Sequence, residues 1–258
     1  MNPIVSIVIP VYNREKLVAE AIESARKQSL ADIEIIVGDN CSTDHTFEIC
    51  QALAAEDPRI VLFRNDTNLG PVLNWQACVA RARAPYLKFL FSDDLLHPNC
   101  LEQLLPGLLS AACAFSFSPV LIGQEPWKGA LSYEYALTDT RIGANQYANL
   151  GFKWFGALPV SPGAALFRTR DVQKNLLLEL PGVDDYDFLT TGAGVDWLIF
   201  LLTLSQYRHV QFCANPASFF RAHHDSITIR NEDNKVMLGY QKAQNWFISR
   251  MTTPPAQL

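Results

Sequence analysis

Residues 4–40, IVSIVIPVYNREKLVAEAIESARKQSLADIEIIVGDN, decide the fold class. Residues 4–9 form a β-branched apolar run with no polar alternation beyond Ser6, which predicts a buried strand. In residues 15–28 Leu17, Ala21, Ile22 and Ala25 fall on one face of a helix, and residues 33–37 are again a β-branched run. Two strands separated by one helix imply a parallel pair joined by a right-handed crossover.

The cycle continues outward. Residues 43–55 place Phe47, Cys50, Leu53 and Ala54 on one helical face behind Ser42 and Thr43 as expected caps. A strand at 60–63, a helix at 71–83 and a strand at 86–91 follow, then a helix over 98–112 and a buried strand over 114–118. The alternation predicts an α/β fold with a mainly parallel sheet flanked by helices. From Glu125 to Pro162 the pattern dissolves into Gly, aromatic and polar residues, which reads as loops and short elements rather than a regular repeat. Order resumes with a strand at 164–167, a helix at 195–204, short strands around Val210 and Phe219, and a closing helix over 232–250. The ending TTPPAQL reads as frayed. Residues 1–124 are thus the regular half, and 125–258 a less regular half of the same domain.

Composition narrows the function classes. The 258 residues are 49% hydrophobic, enough for a substantial core, with a net charge of only -5 and no long basic block. Nucleic acid is therefore not an expected partner. Six cysteines without C-x-x-C spacing suit reduced thiols and a cytoplasmic protein. The opening lacks the basic region of a signal peptide, and the apolar run from Leu104 to Gly123 is broken by Pro106, Gly107 and Pro119.

Ligands of an open parallel sheet bind beyond the carboxyl ends of its strands. Three polar clusters fall there: Val11-Tyr12-Asn13, Gly38-Asp39-Asn40-Cys41-Ser42 and Ser92-Asp93-Asp94. No glycine interrupts IPVYNRE and no G-x-x-x-x-G-K-[ST] occurs, so a phosphate must be held by other means. Two adjacent acids at a strand end suit a hard divalent cation, Mg2+ or Mn2+, bridging them to a diphosphate. A helix N-terminus is the bland alternative for the same acids.

VSIVIPVYNRE, EIIVGDNCSTDHT and NLGPVLNWQACVARARAPYLKFLFSDDLLHP, in that order, resemble the family 2 glycosyltransferases, bacterial transferases of GT-A fold that use nucleotide-diphospho-sugars. The resemblance is dense from Pro3 to about Gly107. It implies that Asp39 reads the base by accepting the uracil N3–H, favouring a UDP-sugar, with Pro10, Val11, Tyr12, Asn13 and Asn68 also in the nucleotide pocket. It implies that Asp94 ligates the metal, with Asp93 nearer the ribose or a metal-bound water. Two departures stand out: Asp39-Asn40-Cys41-Ser42 where many members read DDGS, and Phe91-Ser92-Asp93-Asp94 where many read D-x-D-D.

In the second half the resemblance makes Asp196, in GAGVDWLIFLL, the base of an inverting transfer, with Asp184, Asp185 and Asp187 as fallbacks; an N-terminal helix residue is the bland reading. FFRAHHDSIT matches a late R-x-H-x-x-S pattern through Arg221, His223 and Ser226, implying that His223 completes the metal site and Arg221 serves the diphosphate or acceptor. His223-His224-Asp225 by itself also fits a weak hydrolase metal centre. Phe152, Trp154 and Phe155 suit sugar stacking, a membrane face or the core. The expected acceptor is a glycan or lipid-linked glycan in lipopolysaccharide, capsule or other surface polysaccharide synthesis, which places the enzyme peripherally on the inner membrane face. A sugar-phosphate nucleotidyltransferase and a non-catalytic nucleotide-binding relative are the alternatives.

Overall fold

The computed structural model describes residues 2–154, 156–223 and 235–252. Phe155, His224, Asp225, Ser226, the expected helix start at Glu232 and the closing residues 253–258 lie outside that set.

Strands β1 (Val5–Val11), β2 (Ile33–Asp39), β3 (Ile60–Arg64) and β4 (Tyr86–Phe89) alternate with helices α1 (Val18–Arg26), α2 (Thr46–Glu56) and α3 (Pro71–Val79). They pair in parallel in the order β3-β2-β1-β4. All seven residues of β1 and of β2 are buried, which is why neither shows polar alternation in sequence. Alternate side chains serve two cores. Val5, Ile7 and Ile9 pack with Val18, Ile22 and Cys50 of α1 and α2, whereas Val8 joins Val72, Trp75 and Cys78 of α3 on the other face. The chain winds outward from β1 to β3, then crosses back to β4, so the direction of winding reverses between β1 and β4. Ligands of such sheets enter at this reversal.

The remaining elements are β5 (Leu95–Leu96), α4 (Cys100–Leu108), β6 (Cys113–Phe117), β7 (Val120–Gly123), β8 (Ala130–Ser132), β9 (Thr140–Gly143) and α5 (Ala144–Lys153), a 3-10 turn at Pro162–Ala164, then β10 (Ala165–Arg168), α6 (Thr169–Asn175), α7 (Phe188–Thr191), α8 (Val195–Leu204), β11 (His209–Phe212), β12 (Ser218–Arg221) and α9 (Lys235–Thr252). β10 runs antiparallel between β4 and β6, β11 parallel to β6, and β9 antiparallel at the edge, so that this sheet has eight strands among the described residues. The sheet is therefore parallel in its first half and mixed in its second.

The stretch from 125 to 162 holds loops and short elements, among them β8, β9 and α5. Two features differ from what the sequence suggests. A second sheet, β5-β12-β7-β8, joins residues far apart in sequence, a pairing no local pattern reveals. Ser42 and Thr43 do not cap α2, which starts at Thr46; the Asp44 side chain accepts from the Thr46 amide at 3.0 Å instead. Among the described residues no helix is long and apolar enough to cross a membrane.

Candidate active site

The carboxyl ends of β1, β2, β3 and β4 share one sheet edge, and the loops leaving them are bonded to one another. Asn13, left-handed at φ 50°, follows β1 and donates its amide to Ser42 Oγ at 2.9 Å. Its side-chain oxygen accepts from the Thr43 amide at 2.8 Å. Arg14 donates its amide to Thr46 Oγ1 at 2.7 Å, and its guanidinium Nε lies 3.9 Å from Asp93 Oδ2 across the β1/β4 reversal. The loops after β1, β2 and β4 are thus one unit. Val11 is buried at the end of β1 behind Pro10, and Tyr12 is exposed beside it.

Asp39 ends β2 and is fully buried. Its Oδ2 lies 3.2 Å from Arg64 Nε and accepts from the Ser42 amide at 3.1 Å. Its Oδ1 is buried and has no hydrogen-bond partner among the described residues. An unsatisfied buried acceptor costs roughly 1–3 kcal/mol, and such exceptions point to a partner outside the free protein.

Asn40 explains one departure from the family pattern. Its Nδ2 donates to Asn68 Oδ1 at 2.8 Å and to Gly70 O at 3.1 Å, while its Oδ1 accepts from Asn65 Nδ2 and the Leu69 amide, both at 3.0 Å. An aspartate could not make the first two bonds. Asn40→Asp, although it restores the common family residue, is expected to lower stability by about 1–3 kcal/mol in urea unfolding. Asn68 is committed to this loop through the same bond and through the Gly70 amide at 2.9 Å. Cys41, where relatives read glycine, holds φ 60°, a conformation glycine adopts with less strain.

The second departure has a packing reason. Phe91 joins an aromatic cluster, its ring centroid 5.4 Å from Trp75 and 6.1 Å from Phe89. Beyond it the chain turns through the Asp94 amide, which donates to Phe91 O at 3.0 Å. Asp93 Oδ2 lies 2.8 Å from His223 Nε2, and Asp94 Oδ1 accepts from the Arg221 amide at 3.0 Å. The Arg221 guanidinium donates to Asp93 O at 3.1 Å and to Glu20 Oε2 at 2.7 Å, so it clamps the acid turn to α1. Burial first, and then the charge of Asp93, hold the Asp94 carboxyl well above the usual carboxylate range; the Arg221 amide and the Lys88 and Arg221 charges oppose them. Lys88 is itself fully buried, with Nζ donating to Phe89 O and Gly163 O.

Asp196 occupies the first turn of α8. Its Oδ1 accepts from the Gly194 amide at 2.9 Å and the Trp197 amide at 2.8 Å, and its Oδ2 from Tyr240 Oη at 2.7 Å. Burial pushes its pKa up to about 7 against the pull of these bonds. The turn that carries it meets the acid edge through Trp75: a Cβ on Gly192 would come within 2.4 Å of the Trp75 ring, and the Asp196 amide donates to Gly192 O at 3.2 Å. Trp75 also touches Phe91, so one aromatic residue separates the Asp93-Asp94 turn from the Asp196 turn. The fallback acids are placed differently. Asp187 caps α7 through the Leu189 and Thr190 amides, Asp185 is paired with Lys242 at 2.6 Å, and Asp184 is exposed. Phe152 packs on Phe247 at 6.2 Å, while Trp154 is exposed.

The sequence reading missed Arg14, Arg64, Glu20, Lys88 and Tyr240. Arg14 and Arg64 had a usable signal, because each stands at a strand's carboxyl end as the acids do. Glu20 and Tyr240 are helical residues whose partners lie 201 and 44 positions away.

A model of the family described as "Glycosyl transferase family 2" matches residues 6–176. The chain belongs to glycosyl transferase family 2. TuaG of Bacillus subtilis (strain 168), whose name links it to teichuronic acid biosynthesis, is 33% identical over 151 residues, covering 55% of this chain and 60% of TuaG. The GalNAc(5)-diNAcBac-PP-undecaprenol beta-1,3-glucosyltransferase of Campylobacter jejuni is 34% identical over 135 residues, covering 52% of this chain and 42% of that enzyme. The match therefore spans less than two-thirds of either relative. The S. aureus TarS 1-349 structure in complex with UDP-GlcNAc superimposes with a TM-score of 0.66 at 16% identity, covering all of this chain and 68% of TarS 1-349. That likeness shows the GT-A fold.

Proposed function

We propose that this family 2 glycosyltransferase is a metal-dependent inverting enzyme that moves a sugar from a UDP-sugar to a glycan or lipid-linked glycan in bacterial surface polysaccharide synthesis. The observation that carries the proposal is the fully buried Oδ1 of Asp39, without a partner among the described residues, on the edge where Asp93 and Asp94 also stand. Uracil N3–H is a donor of the kind this atom lacks, and neutral cytosine has no hydrogen at that position. The UDP-GlcNAc and UDP complexes of TarS support a nucleotide-sugar donor, and the name of the Campylobacter relative supports a lipid-linked acceptor. An acceptor of that kind would bring the protein to the inner membrane face.

The donor set fits Mn2+ or Mg2+. Asp94 is a buried carboxyl whose environment disfavours its charge, the condition a divalent cation relieves. Among the described residues no three His, Cys, Asp or Glu side chains are grouped to hold a metal, so Asp94 with Asp93 or His223 would share the cation with diphosphate oxygens and water. Bound there, it would stabilise charge on the leaving diphosphate. Asp196 would take the acceptor hydroxyl proton as that oxygen attacks the anomeric carbon; the bond from that carbon to the diphosphate oxygen breaks on the opposite face, and its electron pair leaves with UDP.

Nucleotide release from a panel of UDP-, GDP- and CMP-sugars, with Mn2+ and with chelator, tests the reading. Release is expected from a UDP-sugar in the Mn2+ arm. Asp39→Asn, which presents an amide where a carboxylate stood, should lower kcat/KM for that donor about 10- to 100-fold. Equal release from CMP-sugars, or no nucleotide release from any donor but pyrophosphate release when sugar phosphate and UTP are supplied, would contradict it.

A further inference from the structure

Two glycines stand beside two chemically important residues: Gly194 lies two positions before Asp196, and Gly239 immediately precedes Tyr240. Their backbones meet. A Cβ on Gly194 would lie 2.7 Å from Gly239 O, and a Cβ on Gly239 would lie 2.6 Å from Ala193 O. Gly194 also holds φ +98°, a region that other residues rarely enter. The turn into α8 and the start of α9 therefore approach as only glycines allow, and this brings the next residue of α9, Tyr240, to hydrogen-bond distance of Asp196.

At that contact the two oxygens of Asp196 are treated differently. The backbone holds Oδ1 with two amides, whereas among the described residues Oδ2 has a single protein donor, the Tyr240 hydroxyl at 2.7 Å. A carboxylate oxygen has two acceptor sites, so with respect to the described residues one is left on Oδ2 for a substrate hydroxyl. Tyr133, just beyond β8, is coupled electrostatically to both Asp196 and Tyr240, and Tyr186 to Tyr240. Lys242, further along α9, is paired with Asp185.

We propose that Tyr240 is a positioning residue for the catalytic base, its hydroxyl fixing Oδ2 of Asp196 and favouring the ionised, proton-accepting carboxylate. The inference rests on Asp196 being that base. A hydroxyl donating to a carboxylate stabilises its charged form, and such charge-assisted bonds are about twice as strong as neutral ones. Burial works in the opposite direction and already brings the group to about 7, so the hydroxyl decides how much base exists at neutral pH. Tyr240→Phe keeps the ring's bulk, so if the ring merely filled space that substitution would leave the ionisation unchanged.

The test is the pH dependence of kcat/KM for wild type, Tyr240→Phe and Asp196→Asn. Tyr240→Phe is expected to move the acid-limb inflection up by about one pH unit, which is roughly a tenfold loss on the acid side that recovers at alkaline pH. Tyr240→3-fluorotyrosine, a stronger donor of the same shape, should move it down and gives the answer even if the phenylalanine variant does not fold. An Asp196→Asn protein with near-wild-type transfer overturns both the base assignment and the inference. An inactive Asp196→Asn protein, together with Tyr240 variants whose inflection does not move, overturns the inference alone.

Discussion

Asp196→Asn is expected to lower turnover on the order of 100-fold or more, the typical contribution of a positioned general base. The asparagine oxygen can still accept the Gly194 and Trp197 amides, so the α8 turn keeps its bonds and the loss is chemical. Donor binding should be nearly unchanged, because Asp196 stands on the second-half turn and not among the strand-end loops that hold Asp39 and Asp93. The same substitution carries a stability signature of opposite sign. The folded-state value of about 7 lies above the ordinary 3.8, so between those limits the folded state holds a proton that the unfolded state has lost. Stability contributed by this group is present at low pH and is lost as pH rises through 7. The difference, about three pH units at roughly 1.4 kcal/mol each, bounds the effect near 4 kcal/mol. Asp196→Asn should therefore unfold at higher urea than wild type at pH 8, and the gap should close toward pH 5. A less stable variant at pH 8 would contradict the burial argument.

Asp94→Asn has the second large effect. Its carboxyl is buried beside Asp93, with the Arg221 amide on one oxygen, and an asparagine of the same shape keeps that bond. What it loses is the negative charge that makes the position a ligand for a hard cation. Mn2+-supported turnover is expected to fall on the order of 100-fold or more, and the Mn2+ concentration needed for half-maximal activity to rise at least about tenfold. Because the ionised carboxyl is disfavoured by burial, the variant should unfold no more easily than wild type at neutral pH. Wild-type activity with an unchanged Mn2+ requirement would move the ligand role to Asp93 and His223.

The parallel half was legible because its sequence signals are physical necessities. Buried parallel strands must be apolar throughout, as β1 and β2 are, and a helix covering them must keep one apolar face, as α1 does. Even α8, apolar nearly all round, was bounded correctly because both of its faces are buried. The strand-end acids followed from the same topology. What stayed hidden depends on contacts between distant residues. β8 and β9 are three and four residues long and mostly exposed, too short to show a period. Leu95 and Leu96 form a strand only through their pairing with Ser218 and Phe219, more than 120 positions away. Asn40 and Phe91 looked like missing acids, whereas the first is a four-bond hub and the second part of the Trp75 cluster. Tyr240 became visible only when Gly194 and Gly239 met.

In the proposed function one sheet edge holds a uridine nucleotide through Asp39 and its diphosphate through a cation at Asp94. Calorimetric titration of the protein with UDP and with CDP, each in Mn2+ and in chelator, tests it most directly. UDP is expected to bind at least about tenfold more tightly with Mn2+ than with chelator, and CDP more weakly than UDP in both. Equal affinity for UDP and CDP, or UDP affinity indifferent to the cation, would contradict it.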